Sequence, residues 1–386
     1  MNLETQVVVI GGGVTGTGVL RDLSLRGVHA VLFERDNLAS GTTGNFHGLL
    51  HSGGRYAVTD PEAAVECIHE NQILRRIAPQ AIEDTGGLFV VMDDVDEAWL
   101  PRFLEGCAKA GIPTQVISGE EARRLEPALS PAVRRAVSVP DGSVDGYTLC
   151  QGNLASAKPR GGRAYLFTGV VEMLREGDRI VGVRAVDKTN GDEYRVRAEC
   201  VVNAAGVWCG RVADLAGVAL TMTPNKGTMI ALDGRPVKRV INRCRKPGDG
   251  DIIVPVGKTI VLGTTSVNVP DPDSVRVEEW EQYKIIEEGT AMVPAVENMR
   301  MQKAYVGVRP LYKPPSVEGD EGREISRGFY VLDHAKLVGL QGFVSIVGGK
   351  LTSHRLMAEK TSDVVCAKLG VQAPCRTAQE SLPTSD

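Results

Sequence analysis

The chain opens with an alternation of apolar and polar stretches that is typical of a strand, a helix and a second strand. Val7-Val8-Val9-Ile10 is an apolar run of strand length, and Ala30-Val31-Leu32-Phe33 is another. Between these runs, leucines and a valine are interleaved with charged residues, as on a helix that buries one face. The order predicts a βαβ unit, and therefore a parallel sheet near the N-terminus.

Apolar runs and helical periodicity recur along the rest of the chain. Short apolar runs predict strands at residues 88–92, 182–186, 200–204, 252–255, 260–262, 329–332 and 343–347. Helical patterns predict helices at residues 62–77, 97–110, 207–216, 277–292 and 353–369. Residues 223–265 alternate short runs with turns, which favours an antiparallel sheet. The loops at 269–274 and 313–323 and the tail at 372–386 lack these patterns, and we expect the tail to be loosely ordered.

Length and composition narrow the classes of protein that the chain can be. Its 386 residues exceed one ordinary core and favour two closely joined domains. The net charge of −4 and the lack of basic runs with interleaved aromatic residues argue against a nucleic-acid partner. No apolar stretch approaches the roughly 18 residues of a membrane span, and residues 1–4 lack a signal-peptide layout. These features predict a cytoplasmic protein, and they leave peripheral attachment to the membrane open.

The residues that most often bind metal do not form a metal-site pattern. The eight cysteines are scattered without a Cys-x-x-Cys pair, so we expect them to be reduced and buried. His47 and His51 are four residues apart, a spacing that suits a metal, but no matching acid or cysteine stands near them. The prediction is that the chain holds no metal.

The turn after the first strand carries the clearest chemical signal. Gly11-Gly12-Gly13-Val14-Thr15-Gly16 is a Gly-x-Gly-x-x-Gly pattern. In such a pattern the first glycine permits a tight turn, the second lets a pyrophosphate approach the backbone, and the third lets helix and strand pack closely. Glu34 ends the second strand, where an acid can bond ribose hydroxyls. The segment predicts a dinucleotide site, either FAD or NAD, against the alternative of a purely structural turn.

Two further segments have compositions that suit the approach of a nucleotide. Residues 39–56 hold glycines, hydroxyls and histidines and include Arg55 near their end. Residues 201–208 break a strand on Ala204-Ala205-Gly206, small enough for a ligand to reach the backbone. Each segment also has an ordinary explanation, as a glycine-rich loop and as a strand–helix turn.

A fourth segment, residues 342–352, passes from a strand through Gly348 and Gly349 to a helix start. Thr352 or Ser353 is a candidate cap for that helix. The helix N-terminus is suited to stabilise negative charge on a reduced flavin, and Lys350 is placed to reach a substrate anion. Arg309 and Arg327 stand alone in the sequence, and single arginines are usually solvated.

Together these segments resemble the FAD-dependent glycerol-3-phosphate dehydrogenases, most closely the catalytic A subunit of the anaerobic bacterial enzyme. The resemblance runs from Val7 to Cys375. Its most specific pieces are residues 48–53 with Arg55 and Tyr56, residues 57–60, 70–74, 241–247, 263–266, 307–311 and 348–352. The A subunit continues into a cysteine-rich domain expected to hold an iron–sulfur cluster, whereas this sequence ends at Asp386. The route of the electrons out of the flavin is therefore open.

The resemblance implies an α/β fold, α+β overall. It has a Rossmann-like FAD-binding domain of the glycine oxidase and D-amino-acid oxidase type, and an antiparallel-sheet substrate domain that covers the flavin. We expect residues 1–80, 136–220 and 325–375 to form the discontinuous FAD-binding domain. Residues 81–135 and 221–324 would form the substrate domain, and residues 376–386 a tail.

The resemblance also assigns residues to the cofactor and to the substrate. The residues that fall where the family holds FAD are Gly11, Gly13, Thr15, Gly16, Glu34, Arg35, Ser40, Thr42, Thr43, His47, Gly48, Leu50, Val170, Ala205, Gly206, Gly349, Leu351 and Thr352. The residues that fall in the substrate pocket are Arg55, Tyr56, Arg309, Arg327, Lys350 and Thr352. Arginines there suit a phosphate, because the guanidinium fork matches its oxygens.

The implied reaction is the oxidation of sn-glycerol 3-phosphate to dihydroxyacetone phosphate, with hydride passing from C2 to flavin N5. Some relatives have a histidine at the position of Met229, and methionine cannot accept a proton, so His51 or an arginine-assisted water would act as base. Arg309 would stabilise charge on the substrate oxygen, and Arg55, Arg327 and Lys350 would hold the phosphate. The electrons would pass to a partner subunit or a quinone.

Three other functions stay open at this point. The first is a related flavin oxidase or dehydrogenase that acts on a 2-hydroxy acid or a secondary amine, which needs fewer cations in the pocket. The second is an NAD enzyme of the Rossmann class, against which the segment at 349–352 speaks. The third is a non-catalytic FAD-binding protein that scaffolds a complex, against which the set of His51 and arginines speaks.

Overall fold

Two large sheets and one small sheet organise the chain, described here from a computed structural model for residues 1–314 and 325–384. Within those residues the helices are α1 (Val14–Leu25), α2 (Pro61–Ile77), α3 (Asp94–Ala110), α4 (Gly119–Leu125), α5 (Gly146–Ala157), α6 (Cys209–Leu215), α7 (Glu279–Met292), α8 (His334–Val338) and α9 (His354–Leu369). The strands are β1 (Asn2–Ile10), β2 (Ala30–Phe33), β3 (Leu49–Leu50), β4 (Ile82–Glu83), β5 (Gly87–Val91), β6 (Gln115–Ser118), β7 (Arg135–Val139), β8 (Gly142–Val144), β9 (Arg163–Tyr165), β10 (Thr168–Glu176), β11 (Arg179–Asp187), β12 (Glu193–Asn203), β13 (Met222–Asp233), β14 (Val240–Arg243), β15 (Ile252–Val256), β16 (Thr259–Gly263), β17 (Val267–Asn268), β18 (Met301–Tyr312), β19 (Phe329–Asp333) and β20 (Phe343–Gly348).

The first sheet has the order β10-β11-β12-β1-β2-β9, with β20 beside β12 and β19 beside β20. Its central pairs, β12 with β1, β1 with β2, β2 with β9 and β12 with β20, are parallel. The parallel sheet predicted from the βαβ pattern is confirmed. Because these parallel strands point the same way, the loops that follow β1, β2, β12 and β20 meet at one edge.

Strand β1 is apolar on both sides because both faces of this sheet are covered. Val7 and Val9 pack with Leu20 and Leu23 of α1 on one face. Val8 packs on the opposite face with Val183 of β11. All of these side chains are buried, and full burial of one such side chain stabilises the fold by roughly 1.5–3 kcal/mol. The continuous apolar run is therefore the expected signature of a parallel strand.

The second sheet has the order β17-β13-β16-β15-β14-β5-β7-β6, and β18 pairs along the other side of β13. All of its pairs are antiparallel except β14 with β5. The antiparallel sheet predicted for residues 223–265 is confirmed. The exception joins strands from distant parts of the chain, whose long connection allows a parallel pair. The small sheet has the order β3-β8-β4.

The division into two domains stays a prediction, and the pairing of the strands moves one of its boundaries. Strand β7 pairs with β5 and β6 in the second sheet. Residues 136–139 therefore lie with the substrate-domain sheet, not with the FAD-binding domain as expected from the sequence. We place the boundary after Val139, where β8 enters the small sheet.

The tail differs from the sequence expectation over its described part. Leu382 is buried, packs beside Leu149 and Ile77, and donates its backbone N–H to the carbonyl of Ile77 at 2.6 Å. Thr377 is also buried, against Arg355 of α9. The expectation of a loose tail was wrong because single anchoring residues, without any periodicity, fix it to the first domain. Most of the loop at 313–323 lies outside the described residues.

The cysteines are free, and all but the half-buried Cys375 are buried. Burial raises the pKa of the Cys67 thiol to about 12, as it does for Cys150 and Cys200, so these thiols are protonated at neutral pH. The prediction of buried cysteines is confirmed for all of them except Cys375. No helix in residues 1–314 and 325–384 is both long and apolar enough to cross a bilayer.

Candidate active site

Residues from both large sheets line one cavity of about 1290 Å³ at the edge where the parallel strands end. Gly11 follows β1, Glu34 follows β2, Ala204 follows β12, and Gly349 follows β20. Arg309 of β18 closes the cavity from the second sheet. The ends of parallel strands are where open α/β sheets bind ligands, so this cavity is the candidate active site.

The glycine turn at one end of the cavity has no room for side chains. Gly11 has a φ of +116°, and a Cβ there would lie 2.5 Å from the carbonyl oxygen of Ala204. A Cβ on Gly16 would lie 2.0 Å from the carbonyl oxygen of Gly11. Gly13, the N-cap residue of α1, has no side chain to cap the helix, and the helix N-terminus lines the cavity. The first and third glycines therefore have the close contacts that the sequence pattern predicts.

Glu34 braces the glycine turn from the end of β2. One carboxylate oxygen accepts the N–H of Gly12 at 2.6 Å, and the other accepts the N–H of Asp36 at 2.8 Å. Arg35 stacks its guanidinium over the Trp208 ring at 4.2 Å, and Trp208 donates to Asp273 at 2.8 Å. Asp273 comes from the loop after β17, so this cluster joins the two sheets at the cavity rim.

The hydroxyl-rich loop after β2 lines the middle of the cavity and is partly engaged with protein. The Thr43 hydroxyl accepts the N–H of Val14 at 3.1 Å. The Thr42 hydroxyl donates to the carbonyl of Val308 at 2.6 Å. Ser40 also lines the cavity. The loop therefore connects α1 to β18 and leaves hydroxyl oxygens beside the helix N-terminus.

The two histidines at the other end are neutral at pH 7. The Nδ1 of His47 accepts the N–H of Leu49 at 3.0 Å. Burial and the charges of Arg309 and Arg55 lower the pKa of His47 to about 3. Burial, His47 and the charges of Arg55, Lys350 and Arg327 lower the pKa of His51 well below its usual range. No third potential metal ligand joins them among the described residues.

His51 is held through its main chain. Its N–H donates to the Thr352 hydroxyl at 3.2 Å, and its carbonyl accepts from the Asn71 amide at 3.1 Å. Ser353, not Thr352, occupies the N-cap position of α9, and its side chain makes no capping hydrogen bond. The candidate cap Thr352 therefore fixes the base candidate instead of the helix.

Three cations, Arg55, Arg327 and Lys350, lie around His51, and Arg55 and Lys350 are held by an acid and by a carbonyl. Arg55 pairs with Asp251 at 2.8 Å, with both side chains nearly inaccessible to solvent. Lys350 donates to the carbonyl of Arg327 at 2.8 Å and lies 5.4 Å above the Tyr56 ring. The ring of Tyr56 is in turn 5.2 Å from that of His51. The arrangement presents concentrated positive charge beside a neutral imidazole.

Arg309 is fixed against strand β13 and its neighbours. Its guanidinium donates to Asn225 at 2.7 Å, to the carbonyls of Lys226 and Thr265 at 3.2 and 3.0 Å, and to the Thr264 hydroxyl. Met229 is buried and does not line the cavity. The cavity wall at Arg309 is therefore rigid and positively charged.

All but three of the predicted site residues line this cavity. Gly16 lies under the glycine turn, Gly48 is buried with a φ of +83°, and Leu50 is buried in the small sheet. The sequence interpretation assigned no role to several other lining residues, including Trp208, Arg211, Lys246 and Thr264. Trp208 and Lys246 belong to segments that were singled out, but neither has a pattern that marks a ligand site. The predicted ligand roles stay predictions.

Comparison with known proteins decides the family. Residues 6–355 match the family described as DAO, FAD dependent oxidoreductase. This chain belongs to the FAD dependent oxidoreductase family. The match includes residues of both sheets and every residue that lines the cavity except Met357.

Relatives of this FAD dependent oxidoreductase have a more specific name. The chain is 48% identical to the A1 subunit of the anaerobic glycerol-3-phosphate dehydrogenase of Haloferax volcanii, over 100% of this chain and 67% of the relative. It is 45% identical to the A subunit of the corresponding Escherichia coli enzyme, over 99% of this chain and 70% of the relative. The resemblance recognised in the sequence is confirmed.

Solved structures confirm the fold of this FAD dependent oxidoreductase. Glycine oxidase from Geobacillus kaustophilus superposes with a TM-score of 0.76 at 20% identity, covering 100% of both chains. The predicted fold of the glycine oxidase type is therefore correct, in both the FAD-binding sheet and the antiparallel sheet.

The residues of the glycine turn fit the FAD that defines the family. The N-terminus of α1 and the hydroxyls beside it suit a pyrophosphate. Gly206 has open space where a Cβ would stand, so its backbone faces the cavity without obstruction. Glu34 stands where the sequence pattern expects a ribose contact. The donors and the open backbone together form a cradle for a dinucleotide.

Proposed function

We propose that the chain oxidises sn-glycerol 3-phosphate to dihydroxyacetone phosphate with bound FAD. One observation carries the proposal: Arg55, Arg327 and Lys350 surround neutral His51 at one end of a cavity whose other end is the glycine turn. A phosphate monoester carries up to two negative charges, which several cations match better than one. The identity of 48% with a glycerol-3-phosphate dehydrogenase subunit supports the same assignment.

The reaction removes a hydride from C2 and a proton from the hydroxyl on C2. FAD, when bound, supplies the hydride acceptor. His51 takes the hydroxyl proton, because a neutral imidazole is the form that can accept one. A phosphate bound to Arg55, Arg327 and Lys350 would offset the cations that lower the pKa of His51. Substrate binding therefore makes His51 a stronger base at the time it is needed.

Arg309 and the other cations of the site have different roles. Arg309 faces the cavity from β18 and places positive charge where the substrate oxygen gains negative charge. Arg55 and Lys350 are already held by Asp251 and by the carbonyl of Arg327, so they bind the phosphate with little loss of side-chain entropy. This pre-organisation favours a small, highly charged substrate.

The relatives are named as the A or A1 subunit of an anaerobic enzyme, and we propose that this chain also passes electrons to a partner subunit, or to a quinone. We further propose a cytoplasmic protein that attaches peripherally to the inner face of the membrane. The roles of the other predicted cofactor residues, such as Thr15, Val170 and Leu351, are part of the same proposal.

Turnover of the purified yellow protein with an artificial electron acceptor tests the substrate. We expect glycerol 3-phosphate to be converted to dihydroxyacetone phosphate, identified as the product. A 2-hydroxy acid, a secondary amine and unphosphorylated glycerol serve as competing substrates at equal concentration. Faster turnover of any of the three would contradict the proposal, and a protein without flavin absorbance would contradict the cofactor.

A further inference from the structure

The peptide bond that follows His51 is held by two buried side chains that do not line the cavity. The carbonyl of His51 accepts from the Asn71 amide at 3.1 Å. The N–H of Ser52, the other half of the same peptide group, donates to the carboxylate of Asp141 at 2.7 Å. His51 and Ser52 belong to neither a helix nor a strand, so no backbone ladder fixes this group.

Asn71 and Asp141 are themselves fixed. The Asn71 amide also donates to the carbonyl of Pro140 at 3.1 Å and accepts from Arg75 at 2.8 Å. Arg75 reaches on to the carbonyls of Pro140 and Asp141 at 3.0 and 2.9 Å. Helix α2 and the β7–β8 connection are thereby joined directly behind His51.

Neither side chain has room to move. Asn71 is 0% and Asp141 2% exposed to solvent. A Cβ on Gly87 would lie 2.7 Å from the Cβ of Asp141, which shows how closely β5 packs against the carboxylate. A buried polar network whose members are bonded in this way holds one geometry, because any displacement leaves a buried group unsatisfied.

The carboxylate of Asp141 also reaches towards the phosphate site. Its second oxygen accepts from the Asn242 amide at 3.3 Å, and the Asn242 carbonyl oxygen lies 3.4 Å from the guanidinium of Arg55. These two contacts are long, and Arg55 has a shorter contact to Asp251 at 2.8 Å. Asp141 therefore acts mainly on the His51–Ser52 peptide and only weakly on Arg55.

We propose that Asn71 and Asp141 are positioning residues that orient the His51 imidazole by clamping the His51–Ser52 peptide group. The inference rests on the proposed function, in which His51 is the base. The two side chains act through His51 and touch neither substrate nor cofactor. Their loss should therefore lower kcat with little change in KM, because Asp251 still holds Arg55 at the phosphate site.

Asp141→Ala and Asn71→Ala test the clamp in the FAD-loaded enzyme. Each should lower kcat for glycerol 3-phosphate by about ten- to a hundredfold, since each leaves a buried group without its partner. The double variant should lose little more than either single variant, because both act on one peptide group. Glu126→Ala is the matched control: this buried acid also accepts one backbone N–H, from Lys238, but its other partner is Arg239 and it does not line the cavity.

A His51→Gln background separates positioning from general damage. There the addition of Asp141→Ala should change kcat by less than about twofold, because the base that Asp141 positions is gone. A further large loss in that background, or kcat unchanged in both single variants, would overturn the inference. The wild-type enzyme is measured alongside: failure of glycerol 3-phosphate to be oxidised by it would refute the proposed function, whereas wild-type turnover with unaffected variants would refute only the clamp.

Discussion

The two ends of the cavity fix their charged groups in different ways. At the end formed by the glycine turn, called here the nucleotide end, Arg35 and Asp273 form an ion pair whose side chains are 47% and 42% exposed. At the end that contains His51, called here the substrate end, Arg55 and Asp251 form an ion pair whose side chains are 9% and 0% exposed. Exposed pairs contribute at most about 1 kcal/mol and adapt readily, whereas breaking a buried pair costs several times more. We infer that the nucleotide end retains the cofactor mainly through main-chain contacts, and that the substrate end fixes the positions of the reacting groups.

The largest expected effect follows from the backbone contacts of the nucleotide end. Gly16→Val places a side chain where a Cβ already lies 2.0 Å from the carbonyl oxygen of Gly11. We expect protein purified from this variant to lack flavin absorbance. Gly206→Ala is the milder companion variant, because its Cβ would meet open space and only the φ of +59° opposes it. Full flavin content in Gly16→Val would refute the role of the turn.

The next effect belongs to the substrate end. Arg309→Ala should abolish anaerobic bleaching of the flavin by glycerol 3-phosphate while FAD stays bound, because Arg309 faces the cavity from the second sheet. Absorbance spectra before and after substrate addition measure both quantities. Unchanged bleaching would remove Arg309 from the site, and loss of flavin would place it at the nucleotide end.

A smaller effect should appear at Glu34. Glu34→Ala removes the acceptor of the Gly12 N–H and the expected ribose contact, so FAD should dissociate about tenfold more readily. Turnover of the protein that still holds FAD should be close to that of the wild type. Glu172→Ala is the control, because this exposed acid pairs with Arg184 and does not line the cavity. A Glu34→Ala enzyme that keeps its FAD and loses turnover would contradict the assignment of Glu34 to cofactor retention at the nucleotide end.

The smallest effect concerns pH and the histidine of the substrate end. The pKa of His47 is about 3 in the folded protein, and its ordinary value is 6.5. At pH values between about 3 and 6.5, His47 is protonated in the unfolded chain but neutral in the folded protein. The contribution of His47 to the free energy of unfolding therefore has its full value above pH 6.5 and decreases as the pH falls below it. Between pH 7 and pH 5 the wild type should lose up to about 2 kcal/mol more unfolding free energy than His47→Asn. Urea unfolding at both pH values measures this loss. An equal loss of unfolding free energy in the two proteins would contradict this account.

The sequence predicted the two ends of the cavity unequally well. The glycine turn and Glu34 are local patterns at the ends of strands, and their spacing predicts one sheet edge, whereas the resemblance to the family implied that Gly348–Thr352 belongs to the same site. Asn71, Asp141 and Asp251 were assigned no role. Each is a single polar residue in its own segment, and they meet near Arg55 and His51 only because distant strands pair.

The same limit explains the corrections. Strand β7 was assigned to the first domain because nothing in its residues shows which sheet it pairs with. Leu382 anchors the tail as one apolar residue in a polar stretch, which periodicity cannot detect. Thr352 has the residue type of a helix cap, but its hydroxyl accepts the N–H of His51, a contact between segments about three hundred residues apart. The places of β7, Leu382 and Thr352 all depend on contacts between residues that are distant in the sequence. Local sequence patterns do not reveal such contacts.

Anaerobic mixing of the yellow enzyme with sn-glycerol 3-phosphate tests the central claim most directly. We predict that the flavin absorbance bleaches in a single turnover, that deuterium at C2 slows the bleaching, and that glycerol at the same concentration leaves the flavin oxidised. Flavin that stays oxidised with glycerol 3-phosphate, or that glycerol bleaches as fast, would contradict the assignment of the cationic end of the cavity to the phosphate.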